Sequence, residues 1–325
     1  MYLNYYNFRE EPFRLTSDPR FFHLAEPHAV ALTTLIDAVT RRKGFVVVSG
    51  EIGTGKTMIL HTALQILAEK ASGSPMASAF VLNPLLTRDE FLEMVLTEFE
   101  IPCTGVSKPA RLGVLHRMLL DTQRKGGTSV LLVDEAHLLS AELLEEIRLL
   151  SNADTYREKL LQIVLCGQPE LLTLLRKPEL RALHQRVSGT CVLRPLSCEE
   201  MRAFIAERMH AAGFLGTVPP FGGPAFEVLF RYSRGVPRLI NLLCDACLAA
   251  GFKKRQPVIL LDTIEEVAGE LGLKEAPSGV AVRGQNTVPA VASVAANAAV
   301  TQAVITAFDL MIQAMKQGRS SAMER

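Results

Sequence analysis

The feature that most constrains this 325-residue chain is the stretch GEIGTGKT at positions 50–57. It matches the pattern GxxxxGK[ST] and lies between an apolar run at 45–49 and a helical pattern that begins at Lys56. Glycines in such a loop let backbone N–H groups close around phosphate groups, and the next helix directs its N-terminus at the anion. The stretch therefore predicts a phosphate-binding loop at a strand-to-helix junction.

The residues of this loop have different predicted roles. We expect Lys56 to contact the β- and γ-phosphates of a nucleotide, and the Thr57 hydroxyl to coordinate Mg²⁺. The other nucleotide-binding residues predicted here are Gly50, Glu51, Ile52, Gly53, Thr54, Gly55 and Met58.

An acidic pair, Asp134 and Glu135, follows a second apolar run, VLLV at 130–133. Carboxylates at the end of a buried strand are costly unless they serve a cation or a partner. We expect Asp134 to hold Mg²⁺ through water and Glu135 to polarise an attacking water, which favours hydrolysis over phosphate transfer to a small molecule. His137, in the run DEAH, is interpreted as making a local hydrogen bond after the strand.

Polar residues elsewhere occupy places from which a nucleotide could be sensed. Gln168 directly follows the apolar run QIVLC, so its amide is expected near the γ-phosphate. Arg181 and Arg186 precede the run TCVL, and each is either a solvated charge or an arginine finger directed at a neighbouring subunit's nucleotide. Arg238 lies near a helix N-terminus, where the dipole disfavours a cation unless a phosphate is close.

Alternating patterns predict an α/β domain with a mostly parallel sheet covered on both faces. The predicted strands are 45–49, 79–82, 130–133, 162–166 and 190–193, and the helices between them are 56–70, 88–99, 110–124 and 141–150. Only helices follow, at 198–212, 224–233, 237–250 and 263–271. They predict a second, all-helical subdomain.

Composition narrows the classes of function. With 35 basic and 34 acidic side chains, the net charge of +1 gives no whole-chain attraction to nucleic acid or an anionic membrane. The low aromatic content of 6% argues against a base-stacking platform. No secretory signal is visible, and the segment 288–308 is too weakly apolar to predict a span, so a cytoplasmic location is expected.

Several motifs, taken in order, resemble those of AAA+ ATPases: GEIGTGKT (Walker A), LLVDE (Walker B), GQPEL, LHQRV and GVPRLIN. The blocks YYNFREEPFRLTSDPRFFHLAEPHAVAL, LLSNADTYREKLLQIVLCGQPEL and RGVPRLINLLCDACL resemble more narrowly the ExeA-type (general secretion pathway protein A) ATPases. The resemblance covers about residues 3–272. Secretion members of that family carry a membrane span and a peptidoglycan-binding domain, which are not predicted here, so a soluble form is expected.

This resemblance implies a P-loop αβα core with a five-stranded parallel sheet of order 5-1-4-3-2, followed by a helical lid. It implies a domain at 1–195, a lid at 196–273, and a flexible linker with an amphipathic helix at 274–325. It implies ATP and Mg²⁺ as cofactors, with Lys56, Thr57, Asp134 and Glu135 at the nucleotide, Gln168 as sensor 1, Arg238 as sensor 2, and Arg186, or in reserve Arg181, as finger. Phe13 and His28 are implied near the adenine.

The expected function is an oligomeric ATPase, a ring or filament, whose hydrolysis drives assembly or remodelling of a secretion, pilus or envelope apparatus. Its expected location is cytoplasmic or peripheral at the inner membrane. The alternative is an ATP-switched DNA-binding adaptor of the transposition-regulator type. A small-molecule kinase fits poorly because the C-terminal part is a helical lid without substrate-specific features.

Overall fold

A computed structural model describes residues 2–15, 19–21, 24–71, 73–82, 85–102, 107–155 and 158–275. The predicted linker and amphipathic helix beyond residue 275 lie outside the described residues, as does the weakly apolar segment 288–308. The boundaries of the predicted domains remain a prediction.

One parallel sheet of five strands forms the centre of the described chain. Its strands are β1 (Phe45–Gly50), β2 (Met76–Val81), β3 (Thr128–Val133), β4 (Leu161–Gly167) and β5 (Val187–Leu193). The order across the sheet is β2-β3-β4-β1-β5, which confirms the predicted order when counted from the other edge. β2 begins three residues before its predicted start, because pairing with β3 already begins at the half-buried Met76.

The helices agree closely with the predicted segments, with several additions. The described helices are α1 (Tyr2–Tyr5), α2 (Glu26–Thr40), α3 (Lys56–Lys70), α4 (Arg88–Glu98), α5 (Lys108–Arg124), α6 (Ala141–Leu150), α7 (Glu170–Leu175), α8 (Arg181–His184), α9 (Cys198–Ala211), α10 (Ala225–Ser233), α11 (Pro237–Lys253) and α12 (Leu261–Glu270). Thr87 and Ser197 start α4 and α9 with capping boxes, each completed by a glutamate three residues later. Local polar signals therefore fix where these helices begin.

The strands are apolar along their length because both faces of the sheet are covered. In β1, Phe45 and Val47 lie in the hydrophobic cluster that α4, α5 and α6 complete. Val46 and Val48 lie in the opposite cluster with α2 and α3. Successive side chains of a strand point to opposite faces, so a strand buried on both sides carries no polar alternation.

Helix α2 is the longest element that the sequence analysis does not predict. Ten of its 15 residues are buried, and it packs against β5 and α3. A helix buried around most of its circumference lacks the single apolar stripe by which amphipathic helices are identified. Its N-terminal proline, Pro27, fits the first turn of a helix.

Helices α9–α12, called the lid from here on, form a separate hydrophobic cluster. The aromatic residues Tyr6, Phe8, Phe13 and Phe21 of the N-terminal segment (residues 2–21) lie in that same cluster. The N-terminal segment therefore packs in the lid core, and the αβα unit lies between this segment and the lid helices along the sequence. Among the described helices, none is long and apolar enough to cross a bilayer.

Candidate functional site

The GEIGTGKT loop curves between the end of β1 and the start of α3. Gly55 has φ +96° and precedes the first residue of α3, and Gly53 has φ +80°, a region that favours glycine. A Cβ at Gly53 would lie 2.7 Å from the Cβ of Arg238, so the lid allows no side chain there. The backbone N–H of Arg238 also donates to the Gly53 carbonyl over 3.2 Å. The glycines of the loop therefore leave room for a phosphate group, and the loop contacts the lid.

Lys56 lies inside the curve of this loop. Its ammonium donates to the carbonyls of Gly50 over 2.9 Å and Glu51 over 3.0 Å, and the residue is only 6% exposed. His28 on α2 braces the loop from outside, since its Nε2 lies 2.8 Å from the Thr54 carbonyl and a carbonyl can only accept. A buried lysine at the N-terminus of α3, within a glycine-rich loop, fits a phosphate group.

The two predicted Mg²⁺ ligands meet directly, although 77 residues separate them. The Thr57 hydroxyl donates to Asp134 Oδ2 over 2.6 Å, and Asp134 Oδ1 accepts the backbone N–H of Glu135 over 2.8 Å. No group of three or more His, Cys, Asp or Glu within the described ranges could hold a metal alone. Two oxygen ligands suit Mg²⁺, which usually keeps several waters and binds substrate phosphates.

Glu135 combines a strained backbone with a buried side-chain oxygen that accepts no hydrogen bond within the described residues. Its φ of +49° places a non-glycine residue in the left-handed region, a conformation that costs about 1 kcal/mol or more and is concentrated at functional sites. Its buried Oε2 has no hydrogen-bond partner in the described part of the chain. A carboxylate at a cavity wall, with one oxygen that accepts no hydrogen bond in the described part of the chain, fits a residue that accepts a proton from water.

His137 connects this carboxylate with Gln168. The backbone N–H of Gln168 donates to His137 Nδ1 over 3.4 Å, and the two side-chain Nε2 atoms are 3.0 Å apart. The same Nδ1 lies 3.4 Å from Glu135 Oε2. His137 is not among the site residues predicted from the sequence, where it is interpreted only as a local hydrogen-bonding group. Its link to β4 is a tertiary contact that the run DEAH does not reveal.

Cys166, in β4, lies close to the carboxylates of Asp134 and Glu135. It is fully buried at the end of β4, and burial, reinforced by the negative charge of Asp134, raises the pKa of its thiol well above the usual range. The thiol is therefore neutral at physiological pH and contributes packing. Cys244 and Cys247 are likewise buried in the lid core.

A cavity of about 350 Å³ opens between the loop and the lid. Its phosphate end is formed by residues that the sequence analysis predicts: Ile52, Gly53, Gly55, Lys56, Thr57, Met58, Glu135 and Arg238. Its other end, called the base end, is formed by Arg14, Leu15, Phe21, His28, Phe204, Arg208, Pro237 and Asn241. Of these, only His28 is expected from the sequence; Phe13 lies away from the cavity and packs edge-on against Phe221 in the lid core.

Arg208 links the elements of the chain that form the base end. Its guanidinium donates to the carbonyls of Pro12, Arg14 and Phe21, over 2.8, 2.9 and 3.2 Å. The same group lies 5.2 Å from the ring centre of Phe21 and 5.4 Å from that of Phe204. It thereby joins α9 to the N-terminal segment with charge-assisted bonds and cation–π contacts. No sequence motif marks it, because its partners are backbone carbonyls almost 200 residues away.

The two finger candidates do not line this cavity. Arg186 donates to the Arg148 carbonyl, Ser151 Oγ and Asn152 Oδ1 at the end of α6, over 3.2, 2.7 and 2.7 Å. Arg181 is exposed at the start of α8. Neither is positioned to contact a nucleotide in its own chain, and the role of either in a neighbouring site remains a prediction.

Two comparisons of sequence, one with family models and one with curated proteins, each find a match to this chain. A family model described as an AAA domain matches residues 39–175. General secretion pathway protein A of Aeromonas hydrophila is 38% identical over 275 residues, which are 83% of this chain and 48% of that protein. The chain thus spans about half the length of this curated relative.

Solved structures show the same fold at lower identity. The Aeropyrum pernix ORC2 protein, in ADPNP–ADP complexes, has a TM-score of 0.59 at 14% identity, over 80% of this chain and 71% of that one. Cdc6p of Pyrobaculum aerophilum has a TM-score of 0.60 at 15% identity, over 80% and 70%. These likenesses concern the fold, whereas the secretion protein gives the closer relationship in sequence. The chain therefore belongs to the AAA+ ATPases of the general secretion pathway protein A type.

Proposed function

We propose that this chain binds ATP with Mg²⁺, hydrolyses it as an oligomer, and uses the cycle to drive assembly or remodelling of a secretion apparatus or a related pilus or envelope assembly. The secretion role rests on the name of the Aeromonas hydrophila relative. One observation carries the ATPase role: Thr57, Asp134, Glu135, His137 and Gln168 form a continuous series of contacts beside the glycine loop.

Each residue of this series has a separate task in the proposed hydrolysis. Lys56 and the loop amides bind the phosphates, and Thr57 and Asp134 would hold the metal. Bound Mg²⁺ neutralises charge that develops on the phosphates. Oε2 of Glu135 accepts a proton from the attacking water, while Gln168, held by His137, orients that water or the terminal phosphate.

Substitution of Lys56 tests the binding step. We expect Lys56→Ala to weaken ATP binding roughly 100-fold, because it removes charge-assisted bonds worth about 3 kcal/mol. Isothermal titration calorimetry with ATP and Mg²⁺ measures this directly. Lys125→Ala, at an exposed lysine after α5, is the control and should bind as the native chain does. Failure of the native chain to bind ATP would refute the proposed function.

The oligomeric part of the proposal assigns Arg186 to the nucleotide of a neighbouring subunit. Arg186→Ala chains keep their own pocket, and Lys56→Ala chains keep Arg186, so a mixture should recover part of the hydrolysis that each variant lacks alone. Arg181→Ala is the matched comparison and should retain activity by itself. Phosphate release is the measurement. A mixture that releases phosphate no faster than either variant alone would exclude Arg186 as the finger.

The location and client form the least direct part of the proposal. We place the protein in the cytoplasm, peripheral to the inner membrane through its partners. Co-purification with secretion or pilus components in the presence of ATP tests the client. Anisotropy measurements with duplex DNA test the alternative function, that of a DNA-binding adaptor. ATP-dependent DNA binding that falls steeply with salt would replace the secretion role with that of a DNA-binding adaptor.

A further inference from the structure

Asn241 lies at the base end of the cavity without a visible structural reason for its polarity. It is one turn after Arg238 on α11, it lines the cavity, and it is only 8% exposed. Its Oδ1 is buried and has no hydrogen-bond partner among the residues that the structure describes. Leucine would fill similar space at this position at no polar cost.

Elsewhere in the described lid, buried polar side chains have hydrogen-bond partners. The other buried polar side chains there are Arg208, Ser233 and Thr263, and each has a partner. Arg208 contacts three carbonyls, Ser233 contacts the Met201 sulfur, and Thr263 donates to Gln256. Buried polar groups in native proteins are normally satisfied, so an unsatisfied one at a cavity wall points to a ligand.

The position of Asn241 determines which part of a nucleotide it can contact. Arg238 touches the phosphate loop through its backbone, and Asn241 lies three residues further, about 4.5 Å along the helix axis. The neighbouring wall carries the rings of Phe21 and Phe204, which suit a flat heterocycle rather than a phosphate. Both observations support a base beside Asn241 when the phosphates of a nucleotide lie at Lys56.

We propose that Asn241 selects adenine by pairing its amide with the N6 amino group and N7 of the base. This inference rests on the proposed function. An amide offers one acceptor and one donor, which match the N6 donor and the N7 acceptor of adenine. Hypoxanthine and guanine present two acceptors, O6 and N7, at the same edge, so rotating the amide does not restore both bonds. Asn241 is thus a specificity-determining residue.

The test compares dissociation constants of ATP, ITP and 7-deaza-ATP for the full chain with Mg²⁺, measured by calorimetry. The native chain should bind ATP roughly 10- to 100-fold more tightly than ITP, the discrimination that one bidentate amide–adenine pair provides. 7-Deaza-ATP lacks the N7 acceptor and should also bind more weakly than ATP. These comparisons need no variant, so a folding defect cannot obscure them.

Asn241→Leu should weaken ATP binding and bring the ATP-to-ITP ratio close to one. Asn4→Leu, the same substitution at an exposed position of the N-terminal segment, should keep the native ratio, and a thermal melt confirms that both variants are folded. Equal binding of ATP and ITP by the native chain, equal binding of ATP and 7-deaza-ATP, or a native ratio in Asn241→Leu would each overturn the inference. Loss of all nucleotide binding by the native chain would instead refute the proposed function itself.

Discussion

The two ends of the cavity are built in different ways. The phosphate end comes largely from one continuous stretch, residues 50–58, and from the acidic pair after β3. The base end combines the N-terminal segment, α2, α9 and α11, and Arg14 and Asn241 at this end are more than two hundred residues apart along the chain. In the proposed function, phosphate recognition would depend on backbone that any similar loop supplies, whereas base recognition would depend on how the lid and the N-terminal segment pack. Changes at the two ends should therefore have different consequences.

The largest effect is expected from Glu135→Gln at the phosphate end. The amide keeps the shape of the side chain but cannot accept the proton, so kcat should fall by roughly 10² to 10⁴. ATP affinity should stay within about twofold, since phosphate binding depends on Lys56 and the loop. Single-turnover hydrolysis and calorimetry measure the two quantities. Unchanged turnover would show that this carboxylate is not the base.

At the base end, Arg208→Ala should act on stability first. Three carbonyls lose their buried donor, and the two ring contacts disappear, so the free energy of unfolding should fall by about 3 kcal/mol. Urea unfolding followed by circular dichroism measures this loss. Arg202→Ala is the control on the same helix: Arg202 is exposed and lies over the ring of Phe226, so its loss should cost about 0.5 kcal/mol. Equal losses would contradict the role given to Arg208.

His137→Ala sharpens the comparison within the phosphate end. We expect kcat to fall roughly tenfold while ATP affinity is unchanged, because His137 positions Gln168 and borders Glu135 without lining the cavity. The same steady-state and binding measurements on His116→Ala, at an exposed histidine of α5, supply the control. A change in affinity with normal kcat would indicate a purely structural role.

The smallest effects come from a matched pair of helix caps. Thr87→Ala and Ser197→Ala each remove the N-terminal cap of one helix, at a cost of about 1 kcal/mol. If the lid and the N-terminal segment open as one unit, Ser197→Ala should speed hydrogen exchange about fivefold in both and leave β1–β5 unchanged. Thr87→Ala should leave both unaffected. Faster exchange in the lid but not in the N-terminal segment would show that the two do not open as one unit.

The same contrast explains what the sequence predicts. The loop around Lys56 and the pair at Asp134 carry local patterns, and parallel strands with both faces covered read as apolar runs, so the sheet and the phosphate end could be predicted. Arg208 and Asn241 acquire their surroundings only through tertiary packing. Helix α2 escapes prediction for a related reason, since burial on several sides removes the periodicity of a surface helix.

Because the N-terminal segment and the lid share one hydrophobic cluster, residues made early in translation pack against residues made much later. Tyr6, Phe8, Phe13 and Phe21 are translated some 180 to 260 residues before the helices that cover them. At ordinary rates of translation this delay is roughly 10 to 50 s. During that interval the sheet domain can fold, while the leading aromatic residues stay exposed and available to chaperones.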